Sequence, residues 1–118
     1  MKKITISDQS KIYQAMKLLN LTEEKCLFVI SAKKKFLGSL TDGDIRRAII
    51  NGLNKRSSIK NIYNKKPLTL IKGFNNNEKV KVLKKMLKNK LSIIPILDMN
   101  GNLVNYLRLA EYEKIKFS

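Results

Sequence analysis

Chemistry concentrates in one short segment, Gly38-Ser39-Leu40-Thr41-Asp42-Gly43-Asp44-Ile45-Arg46-Arg47. A carboxylate accepts hydrogen bonds from vicinal hydroxyls, and a threonine hydroxyl together with the free N–H groups of a helix start can meet a phosphate. Arg46 and Arg47 follow one turn on as bidentate donors, and helical geometry turns at most one of them easily to that side. The spacing has a second meaning. Thr41 followed three residues later by Asp44 is nearly a capping box, in which the hydroxyl takes an orphan N–H of the first turn and the carboxylate reaches back. Such a cap is worth about 1 kcal/mol with no ligand present. Asp42 and Asp44 have no third acid close in sequence, which argues against a carboxylate metal site.

Outside this segment the usual catalytic residue types are sparse. The 118 residues contain no His, one Cys (Cys26) and nine acids against 25 Lys+Arg, for a formal net charge of +16. Imidazole acid–base chemistry, Cys/His nucleophiles, His/Cys metal sites and an intrachain disulfide framework are thereby excluded, and a reducing, cytoplasmic setting is expected. No apolar run approaches the roughly 20 residues of a membrane span, and Met1-Lys2-Lys3-Ile4 leads into polar residues rather than a signal-peptide core. The charge raises nucleic-acid binding, since a basic domain releases counterions along a phosphate backbone. Of the 25 cations, however, 21 are Lys, and they are spread evenly, net +7 over residues 1–59 and +9 over 60–118. No basic tail or aromatic-interleaved patch stands out, so solvated lysine faces are the simpler reading.

The segment is positioned by a duplicated set of elements. A shift of 67 residues lays Cys26-Leu27-Phe28-Val29-Ile30 on Ile93-Ile94-Pro95-Ile96-Leu97, and Phe36 to Leu40 on Leu103 to Leu107. In the first copy Ile12, Ala15, Met16 and Leu19 form the stripe of an amphipathic helix. In the second, Val80, Leu83 and Leu87 with Val82 and Met86 do so between Glu78 and Lys90, opposite six lysines. Each helix leads to an apolar strand, a polar turn and a second strand. Asn100-Gly101 marks a hairpin, because Gly accepts positive φ and Asn tolerates it. A further helix is expected near Ile45 with Ala48 and Ile49 inward, stopping at Asn51-Gly52. The polar connector Leu53 to Pro67 carries Ile59, Ile62 and Tyr63 as a short buried anchor, and Leu68-Thr69-Leu70-Ile71 resembles the opening strand Ile4-Thr5-Ile6. Pro95 points to an edge strand or a bulge. Cys26 reads as a small apolar filler and the four tyrosines as core-edge residues.

The string from Gly38 through Thr41 to Asp44, at a strand–helix junction, resembles the signature of the cystathionine-β-synthase (CBS) domain, and the duplication resembles the paired unit called a Bateman module. The resemblance implies an α+β fold of tandem β-α-β-β-α repeats with pseudo-twofold symmetry, repeat 1 over 1–59 and repeat 2 over 60–118. It further implies a regulatory function without catalytic residues, in which an AMP- or ATP-type nucleotide enters a cleft between the repeats. Nucleotide-binding groups then fall on Gly38, Thr41, Asp42, Asp44 and Arg47, with Thr41 and Asp44 at ribose and phosphate. The second copy departs, with Asn105, Arg108 and Glu111 in place of Gly38, Thr41 and Asp44. Its site is then lost to nucleosides, or Arg108 lends charge to a phosphate held elsewhere. Thr41-Asp42-Gly43-Asp44-Ile45-Arg46-Arg47 is most similar to CBS pairs preceding sugar-phosphate nucleotidyltransferases. The expected partners are therefore a nucleotide, a second copy in a homodimer, and a C-terminal catalytic domain if the gene continues past Ser118. A ligand-free structural dimerisation module is the alternative.

Overall fold

The computed structural model describes residues 4–110. Contacts divide the chain into two compact units, Met1–Pro67 and Leu68–Ser118. The connector thus groups with the first unit. The first unit holds β1 (Thr5–Ser7), α1 (Ile12–Leu21), β2 (Cys26–Ile30), β3 (Phe36–Thr41) and α2 (Asp42–Ile50). The second holds β4 (Leu70–Ile71), α3 (Asn76–Lys88), β5 (Ile93–Leu97) and β6 (Leu103–Arg108). Each unit has a three-stranded sheet, ordered β1-β2-β3 or β4-β5-β6. In both, the first strand runs parallel to the central one and the last antiparallel. This is the α+β fold expected from the sequence. The closing helix expected for the second repeat, and Glu111 and Tyr112 with it, lies outside the described residues.

The duplication is visible in the register. Every pair of β2 with β3, from Cys26↔Thr41 to Ile30↔Phe36, recurs 67 residues later as a pair of β5 with β6, from Ile93↔Arg108 to Leu97↔Leu103. The ladder irregularity between Val29 and Ile30 recurs between Ile96 and Leu97. The two hairpin loops also correspond: Ser31 and Asp98 accept side-chain hydrogen bonds from loop N–H groups, and the left-handed position is Lys34 in one and Gly101 in the other. Asn100 is not in the left-handed region, so this hairpin turns on Gly101 alone.

Apolar side chains from helix and sheet meet in one cluster per unit. Ile12, Ala15 and Leu19 of α1 and Ile45 and Ala48 of α2 pack on Ile6, Leu27, Val29 and Leu40. The connector joins them through Ile59, with Ile62 and Tyr63 packed alongside, as expected. It also supplies carbonyls of Ser57 and Lys55 to the N–H groups of Ile12 and Tyr13, which the first turn of α1 leaves without helical partners. In the second unit Val82, Leu83 and Met86 pack on Leu70, Ile94, Ile96 and Leu107.

Four expectations are corrected. Ile49 and Met16 do not face the core but are exposed on α2 and α1, and Leu87 is likewise exposed on α3, because Val82 and Met86 already fill the narrow stripe against the sheet. Pro95 lies in the central strand of its sheet, fully buried. Its missing N–H is tolerated because β4 pairs only with Ile96 and Leu97, so that ladder begins after the proline.

Candidate functional site

The loop from β3 into α2 is built as a helix start. Thr41 is the N-cap of α2 with extended backbone, and its Oγ1 accepts from the Asp44 N–H at 3.2 Å. In return Asp44 Oδ2 accepts from the Thr41 N–H at 2.9 Å and from the Thr41 hydroxyl at 3.1 Å. The capping box read from the spacing is therefore present, and α2 begins at Asp42, three residues before Ile45. Asp42 and Asp44 in the first turn also suit the positive end of the helix dipole. The remaining oxygen, Asp44 Oδ1, accepts from Arg47 Nη2 at 2.7 Å. Thr41, Asp44 and Arg47 thus form one connected group at the helix entry.

Asp42 and Arg46 turn elsewhere. With Met16 and Asn20 of α1 and Ile45, Ile49 and Ile50 of α2, they line an open groove of about 340 Å³ between the two helices of the first unit. This resolves which arginine attends the cap: Arg47 does, and Arg46 borders the groove. Met16, Ile49 and Ile50 are 43%, 46% and 75% exposed there. Reading the helices as single inward stripes missed the groove. The available signal was that Ile45, Ala48, Ile49 and Ile50 span too wide an arc for one face.

Gly38 sits in β3 beside the cap, and the residue that crosses it is Asn64. Ser39 N–H donates to Asn64 O at 2.9 Å and Asn64 N–H donates to Ser39 O at 2.8 Å, which adds one residue of the connector to the edge of β3. A Cβ at Gly38 would collide with the Asn64 carbonyl oxygen and stand 2.7 Å from Tyr63 Cδ2. The glycine is explained by this close backbone approach. In the second unit Asn105 holds the corresponding place and is exposed. Arg108, the counterpart of Thr41, is half-buried with its guanidinium 5.7 Å from the Tyr106 ring centre.

Cys26 is paired across the sheet with Thr41, directly behind the cap. Burial pushes its thiol up to about 12, and the nearby Asp44 and Glu24 carboxylates act in the same direction. It stays a neutral thiol, as a packing residue should. Among the described residues no group of three or more His, Cys, Asp or Glu is placed to hold a metal ion, and no helix is long and apolar enough to cross a membrane.

Residues 1–51 match the family model of the CBS domain. No curated protein sequence matches the chain. Among solved structures, a CBS domain protein from Streptococcus pneumoniae TIGR4 is similar at TM-score 0.81 and 17% identity, over 97% of this chain and 77% of that one. Staphylococcus aureus OpuCA is similar at TM-score 0.77 and 20% identity, over 99% and 94%. CBS domain protein PAE2072 from Pyrobaculum aerophilum, complexed with AMP, is similar at TM-score 0.74 and 16% identity, over 98% and 92%. With a first unit that matches the CBS domain and a second that repeats its strand register, the chain has the tandem CBS-pair fold.

Proposed function

We propose that the chain is a regulatory module whose first unit binds an adenosine-type nucleotide, AMP or ATP, at the entry to α2. The observation that carries this reading is the connected group of Thr41, Asp44 and Arg47 at the start of a nine-residue helix. It brings a carboxylate for ribose hydroxyls, first-turn N–H groups for phosphate and an exposed guanidinium into one place. The similar fold of an AMP-complexed protein supports the choice of ligand. Asp42 faces the α1–α2 groove and takes no part in this site, and Gly38 keeps the connector seated against β3. Binding regulates through unequal affinity for two states of whatever the module is attached to. The Thr41-to-Arg47 string makes a sugar-phosphate nucleotidyltransferase, C-terminal to the module, our choice of catalytic partner.

Thermal denaturation of the chain with AMP, ADP, ATP, GTP and nucleotide sugars tests this. A ligand at about 100 times its Kd adds about 2.7 kcal/mol to the folded state, a rise of several degrees. Adenine nucleotides should produce it and GTP should not. A second reading, a structural dimerisation module that takes no ligand, is favoured by the exposed Met16, Ile49 and Ile50 along the α1–α2 groove, which a second copy would cover. Absence of any shift at millimolar nucleotide would leave that reading alone.

A further inference from the structure

We infer that Arg47 makes the first site selective for a phosphorylated nucleotide by occupying the Asp44 carboxylate until a phosphate draws it away; this rests on the nucleotide reading above. The argument begins with the hydrogen bonds already made by Asp44. Oδ2 accepts from both the N–H and the hydroxyl of Thr41, and Oδ1 accepts from Arg47 Nη2 at 2.7 Å. The Thr41 contacts belong to the helix cap and form whenever α2 is folded. The Arg47 contact does not: it is an ion pair between a carboxylate whose side chain is 14% exposed and a guanidinium that is 68% exposed. Arg47 is therefore the cover, and Asp44 is what lies under it.

Gly43 lets the cover close. A Cβ built at Gly43 would stand 3.3 Å from Arg47 Nη1 and 3.6 Å from Nη2, so the guanidinium lies across a position with no side chain. A vicinal diol needs acceptor capacity on the carboxylate, and Arg47 occupies one of the positions at which Oδ1 could supply it. A nucleoside gives the displaced guanidinium nothing in exchange. A nucleotide gives it a phosphate, which accepts two parallel N–H bonds from an arginine. Arg46 cannot substitute, because it borders the α1–α2 groove.

The test is calorimetric titration of AMP and of adenosine into the unmodified chain and into Arg47→Met, with Arg47→Lys as a second variant and circular dichroism to confirm folding. Arg47→Met should weaken AMP about tenfold or more, the loss expected for a hydrogen bond to a charged group. The same change should tighten adenosine by up to about fivefold, since an exposed ion pair no longer competes. Arg47→Lys, a point charge without the fork, should fall between for both ligands. Equal weakening of AMP and adenosine in Arg47→Met, or no change in either, overturns the selectivity role while leaving nucleotide binding intact. Failure of the unmodified chain to bind AMP overturns the nucleotide reading and this inference together.

Discussion

Replacing Gly38 by alanine separates two explanations of that residue. Gly38 does not have a positive φ, so clearance rather than backbone freedom decides the outcome. The added methyl collides with the Asn64 carbonyl oxygen and crowds Tyr63 at 2.7 Å, and both neighbours must withdraw. Withdrawal breaks the two reciprocal hydrogen bonds between Ser39 and Asn64, worth about 1 kcal/mol each. It also loosens Tyr63 and Ile62 from the core they pack against, at a further cost of about 1–2 kcal/mol. The reduced entropy of the unfolded chain returns at most about 1 kcal/mol. The net expectation is a loss of about 2–3 kcal/mol, read as a lower midpoint in urea denaturation followed by circular dichroism. Asn105→Ala, at the exposed counterpart, should stay within about 0.5 kcal/mol of the unmodified chain. A Gly38→Ala chain of unchanged stability that no longer bound AMP would refute the packing argument and return Gly38 to the ligand.

Three further outcomes are expected. Lys90, at φ 57 just past α3, fills the left-handed C′ place that Gly52 fills after α2, with Leu91 N–H donating to Met86 O to close the helix; Lys90→Gly should stabilise the chain by about 1 kcal/mol in the same denaturation assay. Cys26 has a folded pKa raised to about 12 from 9.0, so the unfolded chain loses its proton first and stability should fall as pH rises above about 9, by up to about 1.4 kcal/mol per unit. Cys26→Ala should flatten that alkaline limb in denaturation midpoints measured from pH 8 to 11. If the α1–α2 groove is covered by a second copy, Asp42 of one chain can meet Arg46 of the other. Asp42→Arg and Arg46→Asp chains should then each sediment as monomers and recover a dimer only on mixing.

Much of this arrangement was legible because it follows from local periodicity. The strand pairs, the shared irregularity and the two loops all obey the 67-residue shift seen in the sequence, since register is set by which face of each strand is apolar. The Thr41–Asp44 cap was legible for the same reason: it is a contact three residues long. What could not be read depended on chain segments distant in sequence. Asn64 crosses Gly38 only because the connector returns to β3, and nothing in a polar loop announces that path. Pro95 looked unfit for a central strand because the length of its neighbour β4 is a tertiary fact. Met16 and Ile49 matched a helical stripe, but the sheet has room for only part of an apolar arc.

The most direct measurement is isothermal titration of AMP into the unmodified chain and into Asp44→Asn, which keeps an acceptor for the Thr41 N–H while removing the charge. Saturable one-site binding to the first, weakened at least tenfold in the second with the denaturation midpoint nearly retained, is the predicted result. Equal affinity in both chains, or heat from neither, would contradict it.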